Sequence, residues 1–563
     1  MYVGVDVGGT YTDAVLLEKG LVRATAKVST REDLLSSLLE ALDRLIKHNV
    51  PVELIKRIVF STTMITNLIA EKKYNQVGLI ILPGPGLGYK SYNFPEDTYM
   101  IPGAIDYRGR EIIPLDFSLL DQTLKALAAK NYRKVAVVGK FSFRNNIHEI
   151  KVEKYIKDKF PDWQCELGHK IAGQLNFPRR VISTYLASAT REKYQLFIRS
   201  IQEALAKRNI QAAVFILKAD GGTLPLSYFS EMAIETIFSG PAASTLGVQA
   251  LTPADETSVV VDIGGTTTDL ALILSGQPLL SSKGARVDNY LTHVRTLAVK
   301  SVPIGGDSVC DRLGKDVLVY PERIGAPYCL GGPLPTPTDA LRVLGLTMLG
   351  EEERAREAMS ILGGPLGISN EETARRIVSF VCEAIAREIG LMFTQWEQEP
   401  AYRVWEVLQK KKVRPNNVVG AGGGAAGFIA QIAARLGCSP VIPPYAPVAN
   451  AIGAAVARPT LQVSLRADTE QAIYAILEEG YQDRLQDRHF DEGKAIELAK
   501  TWLFKRIEKY GLEKDAKEIE VTRREVFNMV RDWTTVGRLY DIVVQSQRGI
   551  MHHIGVEVSN YDA

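Results

Sequence analysis

Short apolar runs alternate along this chain with stretches in which apolar residues recur at helical spacing. Tyr2-Val3-Gly4-Val5 opens as a strand. Leu34, Leu35, Leu38, Leu39, Leu42, Leu45 and Ile46 then form one helical stripe, with Thr30 and Asp33 as start signals. Arg57–Ser61 is strand-like. Gly78–Leu82 is a second apolar run, stopped by Pro83-Gly84-Pro85-Gly86. Val135–Val138 predicts a buried strand, Arg191–Lys207 a helix and Val214–Leu217 a strand. Thr373–Leu391 predicts a long helix whose apolar face carries Ile377, Phe380, Val381, Ala384, Ile385 and Ile389. Val418 and Val419 lead into Gly420–Gly424 and then a helical segment, Ala425–Leu436. After Pro459 the character changes. Ala475–Gly511 is charged and reads as mostly helical, and Leu539–Val544 and Gly549–Val558 read as short strands. Alternation of strand and helix over this length predicts an α/β protein.

Within that pattern one segment occurs twice. Val5-Asp6-Val7-Gly8-Gly9-Thr10-Tyr11-Thr12-Asp13 returns as Val261-Asp262-Ile263-Gly264-Gly265-Thr266-Thr267-Thr268-Asp269, identical at seven of nine positions and 256 residues further on. Each copy runs from an apolar strand through two glycines into a Thr-containing strand. A glycine turn presents backbone N–H groups with no Cβ in the way, which suits phosphate oxygens. The Thr hydroxyls add donors, and the Asp before the glycines can hold Mg²⁺ directly or through water. Two such hairpins face to face would clamp a polyphosphate from both sides. A lone Gly-Gly is a common turn, but turn chemistry alone does not require Asp, Thr, Thr and Asp to repeat with it. The later Gly420–Gly424 run, placed between a strand and a helix, fits a third nucleotide contact better than close helix–strand packing, which could also explain it with no ligand.

Composition narrows the classes. A chain of 563 residues exceeds one compact core and implies two to four domains. With 46% hydrophobic and 23% charged residues it is an ordinary globular composition. The net charge is +2 and no basic run is present, so nucleic acid is not an expected partner. No apolar stretch reaches membrane-spanning length, and the first residues lack the basic start and apolar core of a signal peptide. Five cysteines without a CxxC pair argue against a disulfide framework or a structural zinc, making a reducing cytoplasm the expected compartment. His552 and His553 are adjacent and would point to opposite faces of a strand.

Several further motifs carry two readings each. Ser61–Asn67 is either a helix cap or a phosphate-facing lip. Asp220–Thr223 and Ser239–Ala242 read as turns or pocket walls. Asp307, in Ile304-Gly305-Gly306-Asp307-Ser308, is a candidate for contacting substrate or metal. Thr338 or Asp339 can serve as a helix cap. No Ser-His-Asp set or Cys-His pair can be picked out, which favours phosphoryl transfer, where positioning and electrostatics do most of the work.

Two Asp-x-Gly-Gly-Thr-x-Thr-Asp hairpins and a late glycine run resemble the actin, Hsp70 and sugar-kinase superfamily. More narrowly, the chain resembles the hydantoinase A / 5-oxoprolinase family over about residues 1–460, through Val5–Asp13, Ser61–Asn67, Gly103–Leu115, Ser183–Leu186, Asp220–Thr223, Ser239–Ala243, Asp262–Asp269, Gly305–Ser308, Thr336–Ala340 and Gly422–Gly424. Asp307 stands where that family commonly has another glycine. The resemblance implies duplicated RNase H-like lobes around a nucleotide cleft: a first lobe over 1–180, a second over 181–460, and a smaller α+β element over 461–563. It implies that Gly8, Gly9, Thr10, Thr12, Gly264, Gly265, Thr266 and Thr267 line the phosphates of ATP. Asp6 and Asp262 would handle Mg²⁺ and serve catalysis, and Gly422, Gly423 and Gly424 would meet the nucleoside. The implied activity is ATP-dependent phosphorylation of a cyclic amide or related carbonyl for hydrolysis, completed by a second enzyme subunit. A homo-oligomer stays open. Two alternatives remain on these residues: an ATP-driven reactivating factor for a partner enzyme, and the ATP-binding subunit of a ketone carboxylase.

Overall fold

The computed structural model describes residues 1–46, 51–70, 72–86, 92–172, 175–227, 233–253, 256–398, 413–487, 489–513, 516 and 518–555. Its first sheet is centred on Tyr2–Val7, which pairs antiparallel with Tyr11–Glu18 and parallel with Arg57–Thr62. Leu21–Ser29 extends one side, and Ala213–Leu217 with Thr223–Pro225 extends the other. Counted in chain order, the five main strands lie 3-2-1-4-5. The second sheet repeats this order. Ser258–Ile263 pairs antiparallel with Thr268–Leu274 and parallel with Asn417–Ala421, which is followed outward by Ser439–Val441. Val299–Val302 takes the third position beside Thr268–Leu274. Two copies of one topology are the duplicated RNase H-like fold, and the repeated nine residues form the first hairpin of each copy. The central strands are buried along nearly their whole length because helices cover both faces.

The first lobe's sheet takes in strands beyond the boundary expected at residue 180. Ala213–Leu217 pairs with Arg57–Thr62, and the helix Phe177–Lys207 packs its Tyr194, Phe197 and Ile201 into the same core as Val5 and Phe60. That helix starts earlier than its periodicity predicts. Its first half, Phe177–Thr190, is buried on nearly every side and shows no stripe. Asn176 caps it by accepting from the Arg179 N–H at 3.3 Å.

Between Arg57–Thr62 and Phe177–Lys207 an all-parallel sheet is inserted, with Gln164–Leu167, Lys134–Gly139, Gly78–Leu82 and Thr98–Met100 side by side. Two helices cross between the lobes, Ser239–Leu251 and Ala449–Val456. They approach so closely that a Cβ on Gly453 would fall 1.8 Å from the Ala243 carbonyl oxygen, and one on Gly247 1.8 Å from that of Ala449. Only glycine permits that approach.

The last hundred residues differ from expectation. Ala475–Gly511 is not mostly helical: Ile473–Ile476 and Tyr481–Arg484 are strands, and the helix is confined to Glu492–Lys509. Leu539–Val544 lies inside a longer strand, Thr534–Ser546, paired with Ile519–Arg531 and Gln462–Asp468. Residues 549–555 form no strand, making one isolated bridge from Ile550 to Ala457, and 556–558 lie outside the described residues. Nor is this sheet set apart from the first lobe. Val463, Leu465, Leu503, Tyr540, Ile542 and Val544 belong to the same hydrophobic core as Val3, Ile58 and Phe215. Among the described residues no helix is long and apolar enough to cross a membrane.

Candidate functional site

Both glycine hairpins close in the same way. The Gly8 N–H donates to the Tyr11 carbonyl at 3.0 Å, and the Gly264 N–H to that of Thr267 at 3.0 Å. Gly9, Gly264 and Thr266 are exposed at the turns, and Gly8, Thr10, Gly265 and Thr267 are partly so. Thr12 is not. It is fully buried and shares a 3.0 Å hydrogen bond with the Thr30 hydroxyl. Its counterpart Thr268 is likewise buried and donates to the Ile304 carbonyl at 2.7 Å. Thr12 and Thr268 therefore brace their hairpins from inside, and Thr10, Thr266 and Thr267 stay nearer the surface.

Beneath the turns lies a group of carboxylates. Strand register places Asp6 opposite Asp13 and Asp262 opposite Asp269. Asp6 accepts from Ser61 at 2.5 Å and from the Asn450 amide at 2.7 Å. Asp13 is held by Lys27 at 2.7 Å, and Asn450 also reaches it at 3.1 Å. Asp262 accepts from Ser244. Two of these partners come from the crossing helices, and they are exchanged. The helix that follows the first sheet supplies Ser244 to the second lobe's Asp262, and the one that follows the second sheet supplies Asn450 to the first lobe's Asp6.

Burial first, then repulsion from neighbouring acids, raises the proton affinity of Asp6, Asp262 and Asp269. The carboxyl of Asp6 is pushed up to about 6 and that of Asp269 to about 7, with Asp262 also raised. Asp262 and Asp13 act on Asp6, and Asp262 and Asp6 act on Asp269, so the two hairpins face each other within electrostatic range. Four carboxylates against one lysine make a cation-seeking floor. Among the described residues no three His, Cys, Asp or Glu side chains form a ready ligand set.

The raised values carry a sign. Between the ordinary carboxylate range and about pH 7 the folded protein binds more protons at Asp6 and Asp269 than the unfolded chain does. Their contribution to stability is complete below about pH 4 and is lost as pH rises through 6 and 7. In chelator without nucleotide, the melting temperature should fall between pH 4 and pH 7. Asp269→Asn should flatten that slope, and an unchanged slope in the variant would refute the assignment.

The late glycine run meets this floor. Gly422 has φ +78°, and a Cβ there would fall 2.3 Å from an Asp262 carboxylate oxygen. Gly424 donates to the Ile263 carbonyl at 3.2 Å, Gly423 is exposed, and the helix Ala425–Leu436 begins immediately after. The loop at Gly305–Ser308 underlies the second turn, where Gly306 and Asp307 donate to the carbonyls of Gly264 and Gly265 at 2.9 and 2.7 Å. Asp307 is paired with Arg323 at 3.0 Å, and Arg323 also donates to the Thr10 hydroxyl at 3.0 Å. One arginine thus joins the second lobe to the first turn.

The ambiguous motifs separate on inspection. Ser61 belongs to the aspartate floor, whereas Thr62 caps the next helix by accepting from the Met64 N–H at 3.0 Å. Asp339 and Thr336 form a capping box, and Asp339 also accepts from the N–H groups of Tyr328 and Cys329. Asp220 accepts from Gly222 and Lys218 in a buried turn. Lys27, Ser244, Arg323 and Asn450 were not among the expected residues. Lys27 alone left a local signal, because strand pairing after a short turn sets it opposite Asp13.

Two RNase H-like lobes, each raising a glycine turn over an aspartate and joined by crossing helices, define the actin, Hsp70 and sugar-kinase class of fold. Within that class the chain belongs to the hydantoinase/oxoprolinase family. The family model matches residues 180–463, and that of the family's N-terminal region matches residues 2–160. The chain is 26% identical over 492 residues to the caprolactamase subunit alpha of Pseudomonas jessenii, covering 78% of this chain and 68% of that one. To the acetophenone carboxylase gamma subunit of Aromatoleum aromaticum it is 26% identical over 454 residues, 69% of this chain and 61% of the relative. Among solved structures, nucleotide-free acetone carboxylase superposes with TM-score 0.77 at 16% identity, covering 98% of this chain and 88% of that one. The ATP-dependent caprolactamase of P. jessenii superposes with TM-score 0.70 at 20% identity, covering 97% and 87%. These two likenesses concern the fold.

Proposed function

We propose that this protein is the ATP-binding subunit of an ATP-dependent hydantoinase/oxoprolinase-type enzyme, and that it phosphorylates the carbonyl oxygen of a cyclic amide. The observation that carries this reading is the pair of matching glycine turns facing each other over Asp6 and Asp262. Gly8, Gly9, Thr10, Gly264, Gly265, Thr266 and Thr267 would cradle the phosphates, and Gly422–Gly424 would meet the nucleoside. Thr12 would act by bracing its hairpin. Mg²⁺ would supply charge neutralisation at the phosphates, oriented by Asp6 and Asp262.

The chemistry needs no nucleophilic side chain. Nitrogen donation into an amide carbonyl makes the oxygen nucleophilic with no proton to remove. That oxygen forms a bond to the γ-phosphorus as the bond to the ADP oxygen breaks. The product is a phosphorylated imidate, open to attack at carbon. Relatives that carry the names of alpha, beta and gamma subunits support a partner that completes the reaction. The relatives named for acetophenone and acetone carboxylases favour a second reading, in which the acceptor oxygen belongs to a ketone enolate or bicarbonate.

The test is ADP release across a panel of lactams, hydantoins and ketones, with and without the product of the neighbouring gene. A cyclic amide is expected to raise turnover several-fold, because a bound acceptor promotes closure and in-line transfer. Stimulation by ketone and bicarbonate alone would move the assignment to the carboxylase reading. Flat rates throughout, with stimulation by an inactivated partner enzyme, would indicate a reactivating factor instead.

A further inference from the structure

A cavity of about 640 Å³ lies away from the glycine turns, where the inserted parallel sheet meets the start of the helix Phe177–Lys207 and the short strand Tyr290–Leu291. Its position follows from topology. In the inserted sheet the chain leaves Gly78–Leu82 for Thr98–Met100 on one side, then returns to Lys134–Gly139 on the other. The switch therefore falls between Gly78–Leu82 and Lys134–Gly139. Ligands of open parallel sheets bind outside the carboxyl ends of the strands at such a switch. Lys140 and Phe141, which leave Lys134–Gly139, line this cavity, and Lys140 ties the two strand exits together. Its N–H donates to the Leu82 carbonyl at 3.0 Å and its ammonium to that of Pro85 at 2.9 Å.

The lining is aromatic and cationic. Tyr92 and Phe94 stack at 5.5 Å between centroids, and Phe141 meets Phe143 edge-on at 6.1 Å. Lys140 and Arg179 are the cations, and no Asp or Glu lines the cavity among the described residues. Arg179 makes no side-chain hydrogen bond or ion pair among the described residues, and its Nε is buried without a partner. Behind the wall stand further arginines, with Asp468, Asp541, Glu149 and Glu525 within electrostatic range of them. Arg144, Arg180 and Arg466 lie 5.7, 5.2 and 4.7 Å from the Phe143 ring centre. Asp541 answers Arg466 and Arg523 at 3.1 and 3.2 Å. The field is felt nearby at His293, which bonds the Asn176 carbonyl at 3.1 Å. Burial, and then Arg180, Arg179 and Arg523, push its imidazole down to about 4. The first turn of a 31-residue helix adds its positive end at Asn176.

We propose that this cavity is a binding site for a flat-ring carboxylate, with the ring between the aromatic walls and the carboxylate on Arg179 and Lys140. An unpaired guanidinium in an aromatic cavity suits a planar anion better than a neutral ring, and the volume suits a small organic ligand. The site is separate from the nucleotide cleft and does not depend on the acceptor being an amide.

The test is calorimetry on the full chain without nucleotide, using benzoate and cyclohexanecarboxylate against benzamide and cyclohexanecarboxamide. The acids should bind roughly tenfold or more tightly than their amides, a difference of about 1.4 kcal/mol or more. Benzoate should bind more tightly than the puckered cyclohexane acid. Arg179→Gln should weaken the acids by a similar factor and leave the amides and ATP unchanged. Unaltered ATP affinity shows that the variant is folded, and Lys140→Gln provides the same comparison should Arg179→Gln lose it. Equal affinity for acid and amide, no binding of any acid at millimolar concentration, or acid binding insensitive to both substitutions would overturn the proposal. A failure of cyclic amides to stimulate ADP release would leave it standing.

Discussion

Asp6→Asn and Asp262→Asn should each lower ATP turnover on the order of 10²-fold, the scale of a lost electrostatic contact in a transition state. The same substitutions should leave the melting temperature unchanged or raised. Both effects trace to one arrangement. Asp6 is buried, accepts from Ser61 and Asn450, and has its proton affinity raised to about 6 by burial and by neighbouring acids. Asp262 sits against Gly422 and accepts from Ser244. In the absence of a cation these charges repel, so neutral asparagine relieves the folded state. With nucleotide and Mg²⁺ the charge is what orients the ion, and asparagine cannot replace it. A functional carboxylate thus loses activity while gaining stability, the usual opposition at a strained site. Unchanged turnover in both variants would make the aspartates turn residues only.

The second large effect is expected away from the chemistry. Gly453→Ala places a methyl group 1.8 Å from the Ala243 carbonyl oxygen and 2.5 Å from the Gly247 nitrogen. Both contacts are backbone, so no side chain can rotate aside and the crossing helices must separate. Overpacking of this severity costs about 3 kcal/mol or more. Separation would also withdraw Asn450 from Asp6, so ATP affinity should fall together with thermal stability. Gly390→Ala is the control. It lies within the helix Asn370–Gln398 with no atom within 4 Å of the new Cβ. It should be neutral or slightly stabilising, because alanine is the better helix former. Equal melting temperatures for both alanine variants would contradict this account of the crossing.

What could be read in the chain was what is local or repeated. The two nine-residue segments mark both hairpins, and the 3-2-1-4-5 order around each follows from the fold they resemble. Gly78–Leu82 and Ala425–Leu436 coincide with the observed elements because uninterrupted apolar or helical periodicity ends at clear glycine or proline signals. The first half of Phe177–Lys207 was not legible, since a helix buried on all sides has no polar face to set its period. The tail misled for a related reason. Tyr481–Arg484 is short and exposed at all four positions, so its charged residues resemble a helical surface, and Ile473–Ile476 is too short to set a period of its own. Ser244, Arg323 and Asn450 reach the site from elements hundreds of residues from the aspartates or turns they serve, or across a lobe boundary. No local spacing announces such contacts.

The shared core of the first lobe and the tail has a bearing on synthesis. Arg57, buried beside the first sheet, donates to the Ala457 carbonyl at 2.7 Å and to the Met551 sulfur at 2.9 Å. Val5 and Val544 belong to one apolar cluster. At roughly 5–20 residues per second, a ribosome reaches those last strands on the order of half a minute to two minutes after the first strand has been made. Throughout that interval the Tyr2–Val7 sheet has emerged, but the surface that seals it has not. The inserted parallel sheet carries a compact core of its own, with Ile80, Leu124, Val137 and Val152, and can close early. The inserted sheet can therefore close before the lobe that surrounds it, and the lobe that begins the chain is among the last parts to be completed.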